Sequence, residues 1–169
     1  MSRVIDNLVR AYRHIGDERI SGLPIYHDKL LVEAVGFRAW EGRLVGVLIT
    51  PWFMNLVLLP VDEEECPDLS AGSATVWEFP SGTYQFRTSV VEGVGVHLSA
   101  VLFSNVKAFP DQDTARAVAQ EVMIRMFQES GGVDGTGGDA RMAEEGVLSK
   151  PVTRRGLLRG LVAVAESKR

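Results

Sequence analysis

Apolar and polar positions recur along this chain with two different periods, and the switches between them divide it into elements. Val4, Ile5, Leu8, Tyr12 and Ile15 fall at helical spacing, which predicts an amphipathic helix over Arg3–Ile15 with Gly16 capping its end. Ser21-Gly22-Leu23-Pro24 breaks the pattern. From Leu31 the period drops to two. Leu31–Trp40 reads as a strand, Glu41-Gly42 as a hairpin turn and Arg43–Thr50 as the returning strand. Asn55–Leu59 is a further strand, stopped by Pro60, and Ser70–Glu78 is ambiguous. Pro80-Ser81-Gly82 is a turn, and Thr83–Val91 and Val96–Ser104 are strands joined through Glu92-Gly93-Val94-Gly95. Tyr84, Phe86 and Thr88 share one side of their strand, as in a sheet with one buried face. Asp111 is placed to cap a long helix running to about Glu129. Ala115, Val118, Ala119, Val122, Met123, Met126 and Phe127 form the stripe by which that helix packs.

One interruption does not follow the usual chemistry of turns. Between two apolar strands stands Thr50-Pro51-Trp52-Phe53-Met54-Asn55. Proline lacks the backbone donor and fixes φ, so the chain must turn or bulge at Pro51. Turns ordinarily carry small polar residues, whereas this one carries Trp52, Phe53 and Met54. Such a corner is either covered by another part of the chain or kept for a partner. Aromatic and methionine side chains offer large, adaptable contact area, which makes these three residues candidate peptide contacts.

The glycines at 131, 132 and 135–138 predict a flexible linker, followed by one helical turn within Ala140–Leu148. The expected organisation is therefore a globular domain over residues 1–130, a glycine-rich linker and short segment over 131–149, and a basic tail over 150–169. The fold class is α+β: a mostly antiparallel sheet, an N-terminal helix, a long helix after the strands and a flexible C-terminal tail.

Composition narrows the function. The chain has 169 residues, 46% hydrophobic and 24% charged, enough to bury a core without staples. Cys66 is the single cysteine, so neither an internal disulfide nor a cysteine-based zinc or iron–sulfur site forms within one chain. His14, His27 and His97 share no ligand-like spacing, and no metal or cofactor is expected. No run reaches about 18 apolar residues, so no membrane insertion is expected. Met1–Ile20 mixes charges among its apolar positions and does not read as a secretory signal, which points to the cytoplasm.

The charge is unevenly placed. Lys150, Arg154, Arg155, Arg159, Lys168 and Arg169 against Glu166 give residues 150–169 a charge of +5. With −4 for the whole chain, residues 1–149 then carry −9. An acidic body disfavours nucleic acid and favours cationic peptides, with Glu63, Glu64 and Glu65 as candidate arginine partners.

Enzyme signatures are weak. Ser81 lacks the flanking glycines of a nucleophile elbow. Glu92-Gly93-Val94-Gly95 lacks the third glycine and the following helix of a dinucleotide site, and the glycine run lacks the lysine of a phosphate loop. A small-molecule-binding domain or cryptic enzyme, using a pocket between sheet and helix, stays as the alternative. The tail carries a different signature. Thr153-Arg154-Arg155-Gly156-Leu157-Leu158-Arg159 matches the twin-arginine export pattern, yet such signals are N-terminal, so this one cannot be the chain's own address. Arg154, Arg155, Leu157 and Leu158 are candidate mimics of a signal peptide.

The sequence resembles the HybE/HupJ family of nickel–iron hydrogenase assembly proteins. The residues that carry the resemblance are GRLVGVLITPWFMNLVLLP from Gly42 to Pro60, Phe79–Phe86, Leu102-Phe103-Ser104, Phe109 with Ala115-Arg116, and Thr153–Gly160. Ala100 and Asn105 stand where family members often show a cysteine and a proline, and the cysteine pairs of the rubredoxin-fused relatives are missing. The resemblance implies a non-catalytic cytoplasmic chaperone of a membrane-bound uptake hydrogenase. Its implied partner is the small-subunit precursor with its twin-arginine signal, held back from export until ready. The large subunit, both subunits and other assembly factors are the alternative partners.

Overall fold

The computed structural model of the chain describes residues 2–61 and 70–128. Helix α1 (Ser2–Ile15) runs on into a π-helical turn (Gly16–Ile20). Strands β1 (Glu33–Trp40), β2 (Arg43–Ile49), β3 (Met54–Pro60), β4 (Ala74–Phe79), β5 (Gly82–Val91) and β6 (Gly95–Phe103) follow, and then helix α2 (Gln112–Met126). The architecture is the expected α+β. The strands form one antiparallel sheet in the order β1-β2-β3-β6-β5-β4.

Local chemistry explains most boundaries. Glu41 and Gly42 have φ of 46° and 73°, the paired positive values of a tight hairpin turn between β1 and β2. Asp111 caps α2, its Oδ1 accepting from the Thr114 amide at 2.7 Å. Gly16 does not cap α1. The chain continues there in helical conformation through the wider turn, and the position suits glycine because the ring of Trp52 lies against it and a Cβ would come within 2.9 Å of that ring. Ser70–Glu78 resolves into a loop leading to β4.

The expected one-sided sheet is one-sided only toward β4. Leu44, Leu48, Val57 and Leu59 pack under Leu8 and Tyr12 of α1. Val45, Val47, Ile49, Met54, Leu56 and Leu58 face the opposite way, against Ala115, Val118, Ala119, Val122, Met123 and Met126 of α2. β2 and β3 are therefore buried on both faces, which is why their sequences are nearly unbroken apolar runs.

β1 and β4 lie at opposite ends of the strand order, yet the rings of Trp40 and Phe79 stack at 5.9 Å. Strand twist of roughly 20–25° per pair, accumulated over the sheet, curls its diagonal corners together. They meet on the side of α2, around Phe127, which lies edge-on to both Trp40 and Phe79. The α2 side is thus concave and the α1 side convex. A bidentate contact fixes α2 at its other end: Arg116 Nε and Nη2 donate to the two Glu33 oxygens at 2.6 and 3.0 Å, and Gln112 Nε2 donates to Glu33 Oε2 at 2.6 Å.

Candidate functional site

The corner at Pro51 is built from Thr50. This residue is fully buried, and its hydroxyl accepts from the amides of Phe53 (2.9 Å) and Trp52 (3.3 Å) while donating to the Phe53 carbonyl (2.9 Å). The Thr50 amide donates to the same carbonyl at 2.9 Å, and the Pro51 carbonyl accepts from the His27 amide at 2.8 Å. One threonine thus satisfies the turn's polar groups, which frees the next two positions for aromatic rings.

Those rings serve α1. Phe53 meets Tyr12 edge-on at 5.8 Å, Trp52 meets Phe53 edge-on at 5.5 Å, and Trp52 covers Gly16. Both are half-buried. Met54, the third candidate contact, turns to the concave core and is 0% exposed. Strand alternation sends it to the face opposite Phe53, so Met54 is a core residue and not a surface contact. Glu63, Glu64 and Glu65, together with Arg154, Arg155, Leu157 and Leu158, lie outside the described residues.

Beyond the corner the convex face is open. Strand register runs Gly46–Val57–Ser99–Arg87–Ala74 across β2, β3, β6, β5 and β4. Two residues further along each strand, Asn55 stands opposite Val101, and Gln85 opposite Val76, on the same face. Helix α1 covers the β1–β3 part of this face and meets β6 at His97, with Val91 and Val94 packed beside it. Among the described residues nothing covers the remainder, where Val101 is 54% and Val76 61% exposed.

Asn55 marks the border. It is only 7% exposed, and its buried Oδ1 has no hydrogen-bond partner. A buried acceptor without a partner costs roughly 1–3 kcal/mol, so stability alone does not favour an asparagine here. Sequence reasoning treated Asn55 as the start of a strand and missed it. The signal available was an amide inside an otherwise apolar run.

The attachment of α1 has its own chemistry. His97 is 2% exposed, and its Nδ1 lies 3.3 Å from the Gly95 carbonyl. That carbonyl only accepts, so Nδ1 carries the hydrogen and Nε2 accepts from the Tyr12 hydroxyl at 3.1 Å. Burial holds His97 below its ordinary pKa and pushes the Tyr12 phenol up to about 12. His97 thus belongs to the core, where it ties α1 to β6.

A cleft of about 510 Å³ opens between α1 and the β5–β6 turn, lined by Arg10, His14, Glu18, Arg19 and Glu92 among others. This is a cleft between helix and sheet of the kind the small-molecule alternative required, and charges of both signs share its walls with Ala11, Ile15, Val90 and Val91. Among the described residues no three His, Cys, Asp or Glu side chains gather to hold a metal ion. No described helix is long and apolar enough to cross a membrane.

A family described as "[NiFe]-hydrogenase assembly, chaperone, HybE" matches residues 3–160. The chain is 37% identical over 155 residues to "Hydrogenase expression/formation protein HupJ" of Bradyrhizobium diazoefficiens, covering 92% of this chain and 86% of that one. It is 46% identical over 120 residues to "Hydrogenase expression/formation protein HupT" of Azotobacter chroococcum, covering 70% and 78%. The fold matches "Solution Structure of HybE from Escherichia coli" with a TM-score of 0.62, at 19% identity, over 85% of this chain and 91% of that one.

Proposed function

The chain belongs to the HybE family of [NiFe]-hydrogenase assembly chaperones, and from that premise we propose that it binds the precursor of a hydrogenase small subunit through its twin-arginine signal peptide. It does so without bond-making chemistry, in the cytoplasm, before the subunit is exported to serve in a membrane-bound uptake hydrogenase. The observation that carries this reading is the open convex half-sheet beside a half-buried aromatic pair. Val101 and Val76 are exposed there, Asn55 lacks a partner, and Trp52 and Phe53 form the rim.

The charge balance agrees. Residues 1–149 carry −9, the difference between −4 for the whole chain and +5 for residues 150–169, so an arginine-bearing segment is attracted before it touches. Glu63, Glu64 and Glu65 are proposed to add to that attraction. The apolar stretch of a signal peptide then gains about 25 cal/mol per Å² buried, less the cost of ordering it, which suits transient holding. The segment carrying Arg154, Arg155, Leu157 and Leu158 is proposed to compete for the same surface as an internal mimic.

The test is capture by the full chain of the small subunit in precursor and mature forms, with the large subunit in parallel. Selective capture of the precursor is expected. Equal capture of the mature form, or capture of the large subunit alone, overturns the reading.

A further inference from the structure

The two edges of the sheet are not equivalent. β1 is blunted. Its register with β2 shifts between Val35 and Arg38, Gly36 there has φ of 67°, and Arg38 is exposed. A bulge and a charge are the usual protections of an edge strand. Within Ala74–Phe79 β4 has neither a bulge nor a proline, and its one charged residue is Glu78; the bulge on this edge, where Gly72 and Ser73 both bond to Thr88, lies before the strand begins. All six of its residues, Ala-Thr-Val-Trp-Glu-Phe, pair with β5 in unbroken register. It is also rich in residues that favour strands.

The phase of its backbone is fixed by one bond. Thr88 donates its amide to the Ser73 carbonyl at 2.9 Å. Antiparallel ladders alternate, so the backbones of Thr75 and Trp77 face β5, and those of Ala74, Val76 and Glu78 face away. No described residue pairs with these outward groups. The strand therefore ends the sheet with an unfilled ladder about 20 Å long.

Resting on the function proposed above, we propose that β4 accepts an extended segment of the client as a seventh, antiparallel strand, with an arginine beside Glu78 and an apolar residue beside Val76. Antiparallel register supplies the spacing. A residue opposite Glu78 brings the residue two further on opposite Val76. Glu78 is exposed and acidic, and Val76 is exposed and apolar. The matching segment is therefore arginine, any residue, apolar. The twin-arginine pattern contains this spacing from its second arginine, with the first arginine turned to the other face of the sheet. The backbone ladder provides affinity for any extended chain, and the Glu78–Val76 pair selects the sequence.

The probe is the synthetic peptide SRRALLAA, with SQQALLAA as control, added to the full chain. Amide exchange should slow at Ala74, Val76 and Glu78 and stay unchanged at Thr75 and Trp77, whose amides already face β5. Val76→Pro removes an outward amide without touching the β4–β5 ladder, and should weaken SRRALLAA by about tenfold or more. Where Val76→Pro fails to fold, Glu78→Gln carries the test. It should weaken SRRALLAA and leave SQQALLAA unchanged.

Unchanged affinity in both variants overturns the assignment. So does protection that gathers at Trp52 and Phe53 instead of β4, or protection of the β4 amides that grows with protein concentration alone, the mark of an edge-to-edge dimer. A chain that captures the small-subunit precursor but ignores SRRALLAA loses the edge site and keeps the proposed function. A chain that binds neither loses both.

Discussion

Replacing His97 by glutamine should remove one specific part of the protein's sensitivity to acid. In the native structure His97 is neutral, because it is buried with its two nitrogens committed to the Tyr12 hydroxyl and the Gly95 carbonyl. Its pKa in the folded state is depressed below 6.5 by burial. The unfolded chain therefore takes up a proton at a pH where the folded chain does not. The stabilisation is complete above about 6.5 and is lost as pH falls toward the folded value. In that window one group changes stability by up to about 1.4 kcal/mol per pH unit. For a domain of this size that is roughly 3–6 °C in melting temperature per pH unit. Thermal unfolding of the native protein and His97→Gln, followed by circular dichroism between pH 7.5 and 5.5, measures it. His14 and His27 are present in both proteins, so the difference in slope isolates His97. The native protein should lose stability more steeply below pH 6.5 than His97→Gln. Parallel slopes, or a His97 ring that titrates at its ordinary pH by NMR, would refute the reasoning.

Three further outcomes follow from other contacts. Asn55→Val should raise the melting temperature, since it removes a buried acceptor worth roughly 1–3 kcal/mol of penalty, and at the same time weaken client capture; lower stability would show that the amide is structurally needed. Gly46→Ala should cost about 1–3 kcal/mol in urea unfolding, because a Cβ there would run into the Phe37 ring, and Phe37→Leu in the same chain should recover part of the loss. The bond from Arg116 holds the Glu33 carboxyl below its ordinary 4.5, so its stabilisation is complete above 4.5 and fades as pH falls; Glu33→Gln should flatten the acid limb of the stability curve below pH 4.5 and leave the His97 window unaltered.

Much of the architecture was legible because it rests on period and on turn chemistry. The α1 stripe, the Glu41-Gly42 hairpin and the Asp111 cap are local signals, and each produced the element its chemistry demands. β4 was ambiguous because its alternation is inverted relative to burial. Val76 faces solvent while Thr75 and Trp77 face the core side, so an apolar residue stands where a polar one is expected. The two-sided burial of β2 and β3 was written in their unbroken apolar runs, but the alternation of β5 argued for one buried face, and both patterns hold in different parts of one sheet.

The site was legible in part. Pro51 and the aromatic cluster after it announced an unusual corner, and the structure uses that corner first to hold α1. Which face Met54 takes depends on the strand it begins, and a corner read alone does not reveal it. Asn55, His97 with Tyr12, and the open β4 edge depend on partners 40 or more residues apart, or on the absence of a neighbour, and neither leaves a mark on local sequence.

The account turns on recognition of a client through paired arginines, and calorimetric titration of the full chain with the small-subunit precursor measures that directly. The precursor with both signal arginines replaced by glutamine is titrated alongside it. The account expects the native precursor to bind and the glutamine form to bind at least about tenfold more weakly. Equal affinities for the two precursors would contradict it.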